Sequence, residues 1–214
     1  MPNLGAEARG SGWGLIRICV SLTALTLAWL GVSTSYLPPD SQREEPTAPW
    51  TVEAVVERII DVESGGDPNA KNKRSSATGL GQFLDETWLD MIRAHRPDLA
   101  KGRSQNEILE LRRDAKVARE ITARFTERNA GMLRKRGLPV TPGTLYLAHF
   151  AGGAGAVAIL SAMENADAAL IMATADATGR TKREKLVKAN PFLERFTVAD
   201  LRNWADRKMR ARGS

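Results

Sequence analysis

Apolar residues fall at Val52, Val55, Val56, Ile59 and Ile60, while Glu53, Glu57, Arg58 and Asp61 take the other positions. That i, i+3, i+4, i+7, i+8 stripe predicts an amphipathic helix. "SQNE" at Ser104–Glu107 has the form of a capping box opening another. A long pattern from about Asp114 to Arg136 carries Val117, Ile121, Phe125 and Met132, and Gly137 with Pro139 ends it. "TPGTLYLAHF" starts with Thr141 and Pro142 at cap and first-turn positions. After the "AGGAG" break, Val157, Leu160 and Met163 predict a short helix, and a further one lies near Ala168. Thr197 and Asp200 again form a capping-box pattern ahead of Val198, Leu201, Trp204 and Met209. Alternating strand patterns are almost absent, so the body is predicted to be all-α from about Trp50 to about Arg210.

Ahead of this body, Ile18 to Leu37 is an uncharged run long enough to cross a bilayer core. Arg9 and Arg17 precede it, which predicts a cytoplasmic N-terminus and an exported remainder. A cleaved signal peptide is the alternative, because "GVSTS" supplies small residues for cleavage. "LIRIC" lacks the small residues expected before a lipidated cysteine. The four prolines of "PPDSQREEPTAPW" make residues 38–50 an extended linker. The expected organisation is a membrane anchor or signal sequence (1–37), a Pro-rich linker (38–50) and a helical domain with a basic C-terminal tail (51–214).

Composition narrows the chemistry. The 214 residues suffice for one domain with a true core, and the net charge of +6 is concentrated in the second half. Lys and Arg are scattered there at helical spacings with few interleaved aromatics, which argues against a nucleic-acid interface. Cys19 is the only cysteine, and His95 and His149 are the only histidines. Neither a disulfide framework nor a zinc site of ordinary ligand count is expected, and no cofactor is implied. The chemistry must rest on carboxylates, hydroxyls or amides.

One carboxylate stands out. One step beyond Ile59 and Ile60, the apolar stripe reaches Glu63, in the last turn before Gly65 and Gly66. Burial and the negative end of the helix dipole both disfavour a charged carboxyl there and favour the protonated form that a general acid needs. The competing reading is a helix that simply ends, with Glu63 reaching solvent and the glycines acting as cap.

The residues that follow, "ESGGDPNAKNKRSSATGLGQF", resemble the lytic transglycosylase family with the goose-type lysozyme fold. Its hallmarks are a catalytic Glu followed by Ser at a helix end, then a Gly-Leu-x-Gln motif. Here these are Glu63-Ser64 and Gly79-Leu80-Gly81-Gln82-Phe83, and the resemblance extends over about residues 53–165. It implies an all-α, lysozyme-like domain behind an N-terminal transmembrane helix. It also implies cleavage of the β-1,4 bond between N-acetylmuramic acid and N-acetylglucosamine in peptidoglycan. Glu63 would protonate the glycosidic oxygen and then, as a carboxylate, take the proton of the sugar's own C6 hydroxyl, giving a 1,6-anhydro product. Ser64 and Gln82 would line the site, with Phe83 beside them, and Gly79 and Gly81 would let backbone approach the glycan. Ser75, Ser76 and Thr78 offer hydrogen bonds to N-acetyl groups.

A third family motif, Ala-Tyr-Asn-Ala-Gly, is altered to "AHFAG" at Ala148–Gly152, with His149 and Phe150 in place of Tyr and Asn. Tyr146, three residues earlier and on nearly the same helix face, can supply the missing hydroxyl. His149 can act at the site or pack beside it. A two-carboxylate hydrolytic scheme would need Asp67 or Asp85, but Asp67 precedes Pro68 in a turn and Asp85 has the position of a helix N-cap. Trp88, Phe83, Phe150 and Trp204 can stack on sugars or fill the core. "GGAG" at Gly152–Gly155 lacks the Lys-Ser/Thr of a phosphate loop. The alternatives are a hydrolytic muramidase and a non-catalytic peptidoglycan-binding scaffold of a cell-envelope machine. In each case the expected setting is the periplasmic side of the inner membrane, with a flagellar or secretion apparatus as a possible partner.

Overall fold

Helix α1 (Val52–Ser64) is framed by its two ends. The Thr51 hydroxyl accepts the Ala54 amide at 3.1 Å, and Gly65, left-handed at φ 63°, returns its N–H to the Asp61 carbonyl at 3.1 Å. The computed structural model describes residues 50–210. The expected anchor, the linker before Trp50 and the last four residues of the basic tail lie outside the described residues.

The chain continues through α2 (Asp85–His95), α3 (Pro97–Ala100), α4 (Gln105–Glu110), α5 (Ala115–Lys135), α6 (Pro142–Ser161), α7 (Ala168–Thr174), α8 (Arg183–Ala189) and α9 (Val198–Met209). Short 3₁₀ turns follow α4 and α8, at Leu111–Arg113 and Pro191–Glu194. The described residues contain isolated β-bridges but no strand, so the body is all-α.

The sequence signals at helix starts correspond to real caps. Ser104, Thr141 and Thr197 each close a reciprocal capping box, and the Asp114 carboxylate accepts the Lys116 and Val117 amides ahead of α5. Two expectations, on Asp85 and on Met163, are corrected. Asp85 is not the N-cap of α2 but its first residue; Leu84 occupies the cap position and offers no side-chain bond. The expected "AGGAG" break is present: at Gly152 the backbone takes φ 72° and ψ 160°, which only glycine adopts readily, and two helical segments meet there across a kink, carried together under the label α6. Val157 and Leu160 lie on the segment after the kink, as expected, whereas Met163 lies past its end, 77% exposed.

Helix α6 is apolar on every side because it is surrounded, packing against α5, α7 and α9. Its length and composition would let it cross a membrane, but it is the central core helix of the described domain. At its C-terminal end the Arg202 guanidinium of α9 donates to the Ile159 carbonyl at 2.7 and 3.2 Å and to the Ala162 carbonyl at 3.2 Å. These bonds satisfy acceptors that the helix itself leaves open.

Two hydrophobic clusters make up the interior, and α1 belongs to both. Val55 and Ile59 pack with Leu133 of α5, Leu145–Ala148 and Ile159 of α6, and Leu201 of α9. Val56 and Ile60 pack with Leu80, Phe83, Trp88, Ile92, Ile121 and Phe125. All four α1 side chains are essentially excluded from solvent, and each such burial is worth about 1.5–3 kcal/mol. Glu63 is one turn beyond Ile59 and three residues beyond Ile60, so it continues the seam where the two clusters meet.

Candidate active site

Glu63 is half-buried at the end of α1, and the side chain that meets it comes from α6. The Tyr146 phenol lies against the Glu63 carboxyl. Burial foremost, then the negative charge of Glu63 and its nearness as an acceptor, push this phenol well above the ordinary tyrosine range, and Arg58 opposes the shift. The Tyr146 hydroxyl thus stays protonated and can only donate to a charged Glu63. Its ring is 3% exposed and is backed by Trp204 at a centroid distance of 5.3 Å; Trp204 in turn contacts Phe150 at 4.9 Å and Phe192 at 5.1 Å. Stiff aromatic backing of this kind fixes where the hydroxyl points.

Ser64 does not reach across the site. Its hydroxyl donates to the Ile60 carbonyl at 3.1 Å and accepts the Gly66 amide at 3.2 Å, so it finishes the helix. Asp67 forms an Asx turn, accepting the Asn69 amide at 2.8 Å. Asp85 accepts the Arg112 guanidinium at 2.6 Å. Neither aspartate is bonded to Glu63.

The segment between α1 and α2 is a compact loop rather than an open glycan platform. Gly79 donates its amide to the Ala70 carbonyl at 2.8 Å, and Asn72 donates to Ala77 at 3.0 Å. Gly79 has a φ of 80°, and a Cβ there would stand 2.0 Å from the Arg112 carbonyl oxygen. A Cβ on Gly81 would meet both the Phe83 ring and the Thr122 hydroxyl at 2.7 Å. Both glycines are therefore required by the protein's own packing. Gln82 has a left-handed φ of 47°, and its side-chain amide donates to the Ala70 carbonyl at 3.1 Å and the Gly79 carbonyl at 2.9 Å. Its N–H groups clasp the loop.

Phe83, expected beside the substrate, is a core residue at 4% exposure, in contact with Trp88, Phe125 and His149 at 5.6, 5.5 and 5.4 Å. Trp88 is fully buried, with its indole N–H on the Ile108 carbonyl at 2.7 Å. The Ser75 hydroxyl accepts the Ala77 amide at 3.3 Å, and the Ser76 hydroxyl accepts the Asp85 amide at 3.3 Å. His149 places Nε2 at 2.9 Å from the Gly81 carbonyl, which makes Nε2 the donor in that contact and ties α6 to the loop. Its Nδ1 is buried without a protein partner. Of the sequence candidates, Tyr146 alone is brought onto Glu63; His149, Gln82 and Gly79 are gathered at the loop behind it.

Arg112 organises that loop and carries no sequence signal. It is 6% exposed, donates Nε to the Leu109 carbonyl at 2.9 Å, and sends one terminal nitrogen to Ser76 O and Phe83 O, both at 3.0 Å, as well as to Asp85. Its partners lie 27 to 36 residues away in the chain apart from Leu109, so no local pattern announces it. Arg58 is the other addition: it pairs with Asp61 and donates to the Lys208 carbonyl at 2.9 Å, joining α1 to α9. Asn129 of α5 is fully buried with both amide atoms unpartnered, near the α6 kink. Among the described residues no three His, Cys, Asp or Glu side chains converge as a metal-ligand group. No protein-family model matches the chain.

Proposed function

We propose that this domain cleaves the β-1,4 bond between N-acetylmuramic acid and N-acetylglucosamine in peptidoglycan, through a goose-type lysozyme-like fold of the lytic transglycosylase kind. The observation that carries the reading is Glu63 at the seam of two helical clusters with the protonated Tyr146 phenol against it. It is joined by the Glu63-Ser64 and Gly79–Gln82 motifs in the order that family uses. The uncharged Ile18–Leu37 run supports export to the periplasmic side of the membrane.

Protonated Glu63 gives its proton to the glycosidic oxygen as the bond from C1 breaks. The sugar's C6 hydroxyl oxygen then closes onto C1, and the Glu63 carboxylate takes the released proton, which restores the acid. No water is consumed and the product carries a 1,6-anhydro ring. Tyr146 touches Glu63 rather than the sugar in this scheme. It donates to the carboxylate between the two proton transfers, when the negative charge is present. A single-carboxylate route is favoured because Asp67 is occupied by its turn and Asp85 by Arg112.

Incubating purified cell wall with the protein and weighing the products tests the proposal. Anhydro-muropeptides support it, and products one water heavier identify a muramidase instead. A second reading, glycan binding without turnover, is favoured by the altered "AHFAG" segment, in which His149 is engaged by Gly81. Release of no fragment by wild type, with unaltered wall binding by Glu63→Gln, would select it.

A further inference from the structure

Between α1 and the last turn of α9 lies a pocket of about 260 Å³ lined by Arg58, Val62, Trp204, Arg207 and Lys208. Three of its five lining residues are cationic, and their charges are unequally matched. Arg58 is paired with Asp61 and anchored on the Lys208 carbonyl. Arg207 and Lys208 have no carboxylate within ion-pair distance among the described residues. Arg207 does act on Asp200, but that carboxylate is held by the Thr197 amide and hydroxyl at 3.0 and 2.7 Å. The Lys208 ammonium stands 5.8 Å from the centroid of the half-buried Trp204 ring. Basic residues in a last helical turn complement the dipole, which accounts for their sign but not for a recess with an indole wall.

The pocket adjoins the Glu63 site. Val62 directly precedes Glu63, Trp204 packs on Tyr146 at a centroid distance of 5.3 Å, and the charge of Arg58 is felt at the Tyr146 phenol. Two cations without a carboxylate partner therefore border the ground next to Glu63. In peptidoglycan the muramic acid at the scissile bond carries, through its lactyl group, a peptide with free carboxylates.

We propose that this pocket is a subsite for a carboxylate of the peptide borne by the muramic acid residue. Arg207 and Lys208 hold the carboxylate, and the peptide's aliphatic portion lies on Trp204. Charge-assisted bonds from a guanidinium and an ammonium suit a carboxylate, and the indole face suits the methyl and methylene groups between successive peptide units. This inference rests on the glycan-cleaving reading of Glu63, and it makes peptide-bearing strands the preferred ligand.

The test uses full-length Glu63→Gln, so that binding is measured without turnover, and two preparations of wall glycan strands, one peptide-bearing and one stripped of peptide by an amidase. The expected result is about tenfold tighter binding of the peptide-bearing strands, a difference that collapses to about onefold when Arg207→Gln and Lys208→Gln are added. Arg207→Lys should retain most of it, and circular dichroism confirms that each variant is folded. Competition by the free wall peptide but not by glycerol phosphate is expected; competition by glycerol phosphate alone would overturn the carboxylate assignment. Equal affinity for the two strand types, or a preference that survives the double substitution, also overturns the subsite while leaving glycan cleavage by the wild type intact. If Glu63→Gln binds neither strand and the wild type cleaves neither, the glycan reading falls and takes the subsite with it.

Discussion

Tyr146 of α6 directs its phenol onto Glu63 at the end of α1, and burial and that contact together keep the phenol protonated. Tyr146→Phe preserves the ring that packs on Trp204 and removes only the donor. A hydrogen bond to a charged group is worth about 1.5–3 kcal/mol, so kcat on cell wall should fall about 10- to 100-fold with little change in KM. Glu63→Gln should lose at least about a hundredfold. Equal kcat for Tyr146→Phe and wild type would remove Tyr146 from the mechanism.

The same contact sets an alkaline limit. A free tyrosine ionises near pH 10, and the native Tyr146 does so higher still. Above about pH 10 the unfolded chain releases a proton that the folded chain keeps, so stability falls with rising pH, by about 1.4 kcal/mol per pH unit for this group. Denaturant titrations of wild type and Tyr146→Phe from pH 9 to 11 should diverge accordingly, with the Phe variant declining less. The difference in phenolate absorbance between the two proteins should appear only as the wild type unfolds.

Arg112 and Gly79 predict how the loop fails. Removing the buried guanidinium takes one of two donors from the Ser76 and Phe83 carbonyls, which keep the Thr78 hydroxyl and amide, and leaves Asp85 unmatched. Arg112→Leu should cost about 3 kcal/mol, read as a Tm lower by about 6–12 °C. Gly79→Ala meets the Arg112 carbonyl directly and also sits at φ 80°, so it should be at least as damaging. Thermal melts of the two variants check this, and an unchanged Tm in either would show that the loop has another support.

Asn129 makes the opposite prediction. Its amide is fully buried without a protein partner. An apolar residue of similar shape removes an unsatisfied donor and acceptor, so Asn129→Leu should be neutral or stabilising by about 1–3 kcal/mol. A clear loss of stability in chemical denaturation would mean that a bound water or ligand satisfies the amide.

These sites differ in how far the chain announces them. The starts of α4, α5, α6 and α9 are legible because a cap and its partner lie within three residues, as in Ser104 and Glu107 or Thr197 and Asp200. Helix α8 is silent: none of its residues is buried, so it has no apolar stripe to detect. Asp85 was expected to cap α2, yet its carboxylate belongs to Arg112, 27 residues on, a preference that local spacing cannot express. The break at "AGGAG" is legible because its glycines permit the non-helical φ of 72° and ψ of 160° that Gly152 adopts between the two segments of α6. At the candidate site, helical spacing puts Glu63 on the apolar seam of α1, and the fold brings Tyr146 of α6 beside it. Phe83 and Gln82 face inward to the fold, a distinction that a motif of adjacent letters does not carry.

Because α1 supplies one pair of side chains to each hydrophobic cluster, neither cluster can open without stripping a wall from the other. The described domain should therefore melt in a single cooperative step despite its divided interior. The amides of Val55 to Ile60 should be among its slowest to exchange with solvent. The carboxyl of Glu63 is carried on the last segment to come apart, so its bearing relative to Tyr146 should persist through every local opening short of global unfolding.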